Sequence, residues 1–193
     1  MMAKICGITN KEDALAAIAA GASALGFNFW PQSPRYLDPA QAAFLADLPA
    51  GIWKVGVFVN EPGPYIAAVA HRLKLEVIQL HGDCGVPANH RVWKAIPVQD
   101  ELRLDDPAAE AFLLDTPSGD LYGGTGRTFD WTLLQGLQKK IILAGGLDAR
   151  NVRRAIETAR PWGVDACSRL ESAPGKKDHE KMAAFLAAAL ELT

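Results

Sequence analysis

The sequence predicts a single (β/α)8 barrel, the TIM-barrel class of α/β proteins, over residues 1–193. Short apolar segments alternate with alanine-rich helical segments along the chain, which indicates a parallel sheet with crossover helices. About eight apolar segments are present, the number of strands that this barrel requires. Polar residues cluster late in several of these segments, at the end of the strands where such barrels hold their chemistry.

A doubly wound open sheet is the main competing fold, because it alternates strands and helices in the same way. A dinucleotide-binding version would carry Gly-x-Gly-x-x-Gly after the first strand, and Cys6-Gly7-Ile8-Thr9 does not supply it. No linker, low-complexity tract or long run of charge divides the chain, so one domain is expected.

The predicted elements follow in chain order. The strands are residues 3–6, 24–27, 53–59, 77–80, 92–96, 111–114, 141–144 and 163–166, and the helices are residues 11–20, 39–47, 64–72 and 178–192, with two more from about 130 and 149. Gly21 is a helix stop, Asp38 caps the second helix with Pro39 at its first position, and Asp148 caps the helix near Ala149. The pattern is weakest over residues 97–110, where helix five is expected to be short or irregular.

Composition excludes several classes of partner. The 20 basic residues are scattered and the net charge is -2, with a pI near 6.1, so no basic surface for nucleic acid or an acidic membrane is expected. The expected partner is a small molecule. No signal-peptide pattern precedes the first strand, and no run approaches the roughly 18 apolar residues that span a bilayer, which predicts a cytoplasmic protein.

The cysteines and histidines argue against structural metals. Cys6, Cys84 and Cys167 are odd in number and lack Cys-x-x-Cys spacing, so free thiols are expected instead of disulfides or a zinc site. The four histidines show no ligand spacing, which argues against a metal-dependent epimerase. No metal or cofactor is expected. The helices show no heptad seam or long apolar stripe, and a monomer is expected.

Period-two alternation assigns polar side chains to one face of three strands. Lys4 and Cys6 share a face, Gln79 and His81 share another, and Asp115 ends a third. Taken singly, each residue has an ordinary structural explanation. Cys6 could be a small core residue, His81 a core histidine whose nitrogens are hydrogen-bonded, and Asp115 part of a turn. Together they predict a catalytic rim, because titratable groups end three inward faces of one barrel.

Loops add weaker signals. Gly145 and Gly146 lead from the seventh strand into a helix and can direct backbone N–H groups at an anion, as late strands of this fold commonly do with phosphate. Residues 122–127 are predicted to form either a lid or a flexible connection. Arg35, between Pro34 and Tyr36, is either a fork for a carboxylate or a surface arginine.

Eight motifs together resemble the phosphoribosylanthranilate isomerase family of tryptophan biosynthesis: KICGIT, GFNFWPQSPRY, VGVFVNE, QLHG, LLDT, GGTGRTFDW, AGGL and PGKKD. The resemblance implies a (β/α)8 barrel and an Amadori rearrangement without metal or cofactor. It implies that Cys6 is the general base and Asp115 the general acid. Both roles need shifted pKa values. Lys4 would favour the thiolate form of Cys6, and burial would favour the acid form of Asp115.

The resemblance also implies the substrate contacts. Arg35 would hold the anthranilate carboxylate, Asp165 would lie near the sugar hydroxyls, and the loops after strands seven and eight would hold phosphate. The implied substrate-binding residues are Arg35, His81, Asp165, Gly145, Gly146, Ser168 and Arg169.

One position departs from the family pattern. The family usually reads close to D-V-S-S-G-V-E after strand eight, and here Arg169 replaces the glycine. An arginine at a left-handed position would strain the loop or obstruct phosphate, although it could turn outward or contact the phosphate itself. We therefore predict a weakened but present phosphate site. An inactive phosphometabolite-binding barrel remains the alternative, and so does a bifunctional tryptophan/histidine-pathway isomerase, although such relatives generally use two aspartates where this chain has Cys6.

Overall fold

Eight parallel strands close into a barrel in chain order, with β8 hydrogen-bonded back to β1. The computed structural model describes residues 1–98, 102–116 and 128–191. The strands are β1 Met2–Cys6, β2 Ala24–Asn28, β3 Trp53–Val59, β4 Val77–His81, β5 Arg91–Pro97, β6 Ala111–Asp115, β7 Ile141–Leu143 and β8 Gly163–Ala166. The predicted (β/α)8 barrel is confirmed, and each predicted strand end lies within one residue of the observed end.

The outer layer is less regular than the barrel. Its α-helices are α1 Lys11–Ala19, α2 Gly63–Leu73, α3 Val152–Ala159 and α4 His179–Leu190, and its 3-10 helices are Pro39–Asp47, Trp131–Leu134 and Ser168–Leu170. Residues 82–90 and the described residues 102–110 form turns and irregular backbone, which agrees with an irregular fifth helix. A hairpin of β9 Glu171–Ala173 and β10 Lys176–Lys177, which sequence reasoning did not predict, precedes α4. No described helix combines the length and apolar character needed to cross a bilayer.

The caps agree with prediction in two places and differ in a third. Gly21 ends the first helical segment with φ +101°, and the Asp38 carboxylate accepts the Ala40 N–H at 2.8 Å. The prediction that Asp148 caps a helix near Ala149 is wrong, because α3 begins only at Val152. Asp148 instead accepts the Arg150 N–H at 2.9 Å and closes a turn.

Alternating strand residues build two cores. Outward side chains such as Leu25 and Phe112 are buried under the helices, while inward ones such as Val55 and Leu113 fill the barrel. Near the amino-terminal ends of the strands, Trp53, Trp93 and Trp162 pack together with ring centroids 6.0 Å apart. The apolar filling closes this end of the barrel and leaves the polar side chains at the carboxyl-terminal rim.

Candidate active site

Lys4 stands inside the barrel on β1, two residues before Cys6. The strand alternation directs both side chains inward, and Lys4 is fully buried. Its ammonium donates a hydrogen bond to Asp165 Oδ1 at 2.9 Å, across the pair of strands β1 and β8. Burial alone would lower the pKa of Lys4, but the negative charges of Asp165 and Cys6 outweigh it and raise that pKa. Lys4 therefore remains a cation beside the thiol.

Cys6 ends β1 at the rim of the barrel. A hydrogen bond from Cys167 lowers the pKa of the Cys6 thiol well below its usual value; burial opposes the shift, and the nearby charge of Lys4 supports it. A thiol with a hydrogen-bond donor and a buried ammonium beside it is ionised more readily than a free cysteine. This environment favours a thiolate, the form of cysteine that accepts a proton.

Asp115 ends β6, and its carboxyl has the opposite preference. Burial raises the pKa of Asp115 to about 6, although the carboxylate accepts the Thr116 N–H at 2.7 Å, which lowers it. The negative charge of Cys6 raises it further. Burial likewise raises the pKa of Asp165 to about 7 against the pull of Lys4. Asp115 and Asp165 are therefore both protonated at a higher pH than an ordinary aspartate.

These groups face one cavity of about 70 Å³ at the carboxyl-terminal end of the barrel. Its polar lining includes Cys6, Arg35, His81, Asp115 and Asp165. Gln79 Nε2 donates to His81 Nε2 at 2.8 Å, and burial, Lys4 and Lys94 lower the pKa of His81 to about 3. A neutral imidazole therefore faces the cavity beside the ionised groups.

Arg35 is held in place by a carboxylate. Its Nε and Nη2 donate to the two oxygens of Glu171 at 2.8 and 2.7 Å, a bidentate pair whose glutamate is only 4% exposed. Lys177, which is fully buried at its side chain, donates to the same Glu171 at 3.0 Å. This network fixes the plane of the guanidinium at the cavity wall and uses two of its five N–H donors.

A second, smaller cavity adjoins the first and shares Asp115, Asp165 and Cys167 with it. Its lining also includes Gly145, Gly146, Ser168 and Arg169. Gly145 has φ +89°, and a Cβ there would collide with Thr116. Only glycine therefore fits this position, where backbone lies against the cavity.

Arg169 does not occupy a left-handed position, because every non-glycine residue with positive φ among those described lies elsewhere. The strain considered for this substitution is absent. Its guanidinium donates to Asp148 Oδ2 at 3.3 Å, at the border of the second cavity. The arginine is accommodated within the 3-10 turn Ser168–Leu170.

The structure brings the residues singled out in the sequence into these two adjoining cavities. They are Cys6, Arg35, His81, Asp115, Gly145, Gly146, Asp165, Ser168 and Arg169. The suggested lid, residues 122–127, lies outside the described residues. Sequence reasoning missed the contributions of Cys167, Glu171 and Lys177, although all three lie in or beside the quoted motifs after β8.

Comparison with known proteins shows the family of this chain. Residues 3–188 match the family described as N-(5'phosphoribosyl)anthranilate (PRA) isomerase. The chain belongs to the PRA isomerase family. It is thus an isomerase of tryptophan biosynthesis. A relative from Solibacter usitatus, named N-(5'-phosphoribosyl)anthranilate isomerase, is 54% identical over 195 residues, covering 98% of this chain and 97% of the relative.

Two solved PRA isomerases share the fold over 98% of both chains. One, in complex with reduced 1-(o-carboxyphenylamino)-1-deoxyribulose 5-phosphate, is 37% identical with a TM-score of 0.82. The other, from Thermotoga maritima, consists of monomers generated from a dimeric PRA isomerase and is 38% identical, also with a TM-score of 0.82.

Proposed function

We propose that this PRA isomerase converts N-(5'-phosphoribosyl)anthranilate into 1-(2-carboxyphenylamino)-1-deoxyribulose 5-phosphate with Asp115 as general acid and Cys6 as general base. One observation carries the assignment: a thiol whose pKa is lowered and a carboxyl whose pKa is raised to about 6 face the same cavity from β1 and β6. Acid–base isomerisation near neutral pH is favoured by shifts in these two directions, because they increase the fractions of thiolate base and carboxylic acid.

The reaction then follows from the two groups. Asp115 donates its proton to the furanose ring oxygen, and the bond between that oxygen and C1' breaks to give a protonated Schiff base. The Cys6 thiolate removes the C2' proton, and the electron pair of that C–H bond forms the enolamine. Tautomerisation of the enolamine gives the ketone product, and proton exchange with water restores both groups.

We assign the ends of the substrate to the two cavities. Arg35, fixed by Glu171, has the planar donor geometry that suits the anthranilate carboxylate. Asp165 lies between the cavities and suits sugar hydroxyls, with neutral His81 as a further polar contact. The phosphate belongs at the second cavity.

The phosphate contacts would come from the glycine backbone and the turn after β8. Gly145 and Gly146 both have positive φ and line the second cavity, with Ser168 and Arg169 opposite them. The Asp148 carboxylate partly neutralises Arg169, and the arginine side chain occupies space where the family pattern has glycine. We therefore retain the proposal of a weakened but present phosphate site.

The decisive experiment follows the loss of phosphoribosylanthranilate fluorescence on adding purified protein. Cys6→Ala and Asp115→Ala are each expected to lower turnover by about 100-fold or more, since each removes one acid–base group. Cys84→Ala is the matched control, because Cys84 is a buried thiol outside both cavities. Turnover that survives loss of Cys6 or Asp115 contradicts the assignment; binding of the reduced product analogue without any turnover indicates a phosphometabolite-binding barrel.

We further propose that residues 1–193 form one domain that acts as a monomer in the cytoplasm. The eight strands close one sheet, and α4 packs back against α1, α3 and β1, which supports a single folding unit. Cys6, Cys84 and Cys167 are free thiols, as expected in a reducing compartment. Light scattering on the purified chain tests the oligomeric state, and a mass twice that of the 20.7 kDa chain would exclude the monomer.

A further inference from the structure

Cys6 and Cys167 lie side by side at the rim of the barrel. The parallel pairing of β1 and β8 matches Ile5 with Ala166, so the next residues along the two strands are the two cysteines. Neighbouring strands are separated by about 4.8 Å, which brings residues in register within contact. Both thiols line the main cavity, and Cys167 lines the second cavity as well. The proposed reaction mechanism uses only one of them.

The surroundings of the two thiols differ in charge. Cys167 Sγ lies 4.0 Å from Glu171 Oε1 and 3.8 Å from Lys177 Nζ, so a negative charge lies beside it as well as a positive one. Lys177 is also committed to the Glu171 carboxylate at 3.0 Å and to the Cys167 carbonyl at 3.3 Å. Cys6 instead has the buried ammonium of Lys4 on its own strand. Negative charge is therefore better accommodated on Cys6 than on Cys167.

We propose that Cys167 is a positioning residue for the reaction: its S–H donates a hydrogen bond to Cys6 Sγ and holds Cys6 as the thiolate that faces the substrate. This inference rests on the proposed function only in naming Cys6 as the base. A thiol has one proton to donate, so a pair of thiols in contact stabilises one anion by leaving the other protonated. The directions of the two pKa values agree, because the hydrogen bond between the thiols lowers that of Cys6 and raises that of Cys167.

Other charged or titratable groups also surround the pair, and the experiment must separate their effects from that of the hydrogen bond. They are Lys4 on β1, Arg35 after β2, His81 on β4, Asp115 on β6, Asp165 on β8, Glu171 on β9 and Lys177 on β10. A substitution that changes only the hydrogen-bond donor at position 167 leaves all of these groups in place. Cys167→Ser keeps a donor at this position, whereas Cys167→Ala removes it.

The test measures the alkylation rate of each cysteine by iodoacetamide between pH 5 and pH 10, with peptide mass spectrometry and a phosphine reductant present. In the unmodified chain, Cys6 is expected to react with a lower pH midpoint than Cys167. Cys167→Ala is expected to raise the Cys6 midpoint by about one pH unit, the size of a lost hydrogen bond to a charged group. Cys167→Ser is expected to restore most of that shift.

Two results would overturn the proposal: a Cys6 midpoint unchanged in Cys167→Ala, or Cys167 reacting at lower pH than Cys6 in the unmodified chain. The second result needs no variant, so a poorly folded alanine variant does not weaken the test. Alkylation also requires no turnover, so failure here is distinct from failure of the proposed function. In an active enzyme, the acidic limb of the kcat/KM profile is expected to shift upward by the same amount in Cys167→Ala and to return in Cys167→Ser.

Discussion

Replacing Asp115 by asparagine is expected to abolish turnover and, at neutral pH, to stabilise the fold. The side chain is largely enclosed at the end of β6, where its charge is poorly solvated and faces the negative Cys6. Asparagine has nearly the same shape, and its Oδ1 can still accept the Thr116 N–H that Asp115 accepts at 2.7 Å. The substitution therefore removes the buried charge while keeping the local contact.

The magnitude follows from the pKa of Asp115. A rise from 3.8 to about 6 is about two units, or about 3 kcal/mol between the protonated and ionised forms. Because the folded protein holds this proton more tightly than the unfolded chain, its free energy of unfolding falls as pH rises from about 3.8 to about 6 and stays lower above that window. The asparagine variant has no carboxyl at this position, so its free energy of unfolding does not fall in this way. The variant should gain up to about 3 kcal/mol above the window, or roughly 6–12 °C in Tm for a chain of this size.

Thermal or urea unfolding of both proteins at pH 4.5, 6 and 8 measures the difference. Asp47→Asn is the matched control, because Asp47 is an exposed aspartate whose ion pair with Lys11 lies on the surface. It is expected to change stability by less than about 1 kcal/mol at every pH. An Asp115→Asn protein that is less stable than the parent at pH 8, or a difference that does not grow with pH, would refute the reasoning.

Three further changes test other parts of the site. Arg35→Lys keeps the charge but loses the planar fork, so KM is expected to rise about tenfold with a smaller change in kcat, and an unchanged KM in steady-state kinetics would exclude the carboxylate contact. Arg169→Gly removes the side chain that borders the second cavity and is expected to lower KM about threefold or more; unchanged KM and kcat contradict the weakened phosphate site. Gly145→Ala adds a Cβ against Thr116 at φ +89° and is expected to cost about 1–3 kcal/mol in urea unfolding. Gly51→Ala, also at positive φ but with open space around it, is its control and should cost less.

The strands were the predictable part of the fold. Each is a short apolar segment whose alternate residues must face opposite sides of the sheet, so Lys4 and Cys6 could be assigned to the barrel interior before any contact was known. The helices were less predictable. The segment after β7 has a good capping residue in Asp148, yet its carboxylate closes a turn and pairs with Arg150 and Arg169, so α3 starts later. Local propensity cannot weigh such partners against one another.

The network behind the reactive thiol was beyond sequence reasoning. Cys167, Glu171 and Lys177 act together because a two-strand hairpin folds back after β8 and returns Lys177 to the barrel rim. The motif contains these residues, but their spacing does not tell which of them face each other. Antiparallel pairing and burial of the lysine decide that.

The pattern of residues along the chain was enough to predict the order of the strands, the side of the barrel that each strand residue faces, and the set of residues at the rim. The pKa values of these residues depend instead on contacts between distant parts of the chain. Lys4 and Asp165 are 161 residues apart in the chain yet form a buried ion pair, and Cys6 receives its hydrogen bond from the opposite end of the sequence. The pKa of a group depends on its burial and on the charges that surround it in space, and both exist only after the barrel has closed.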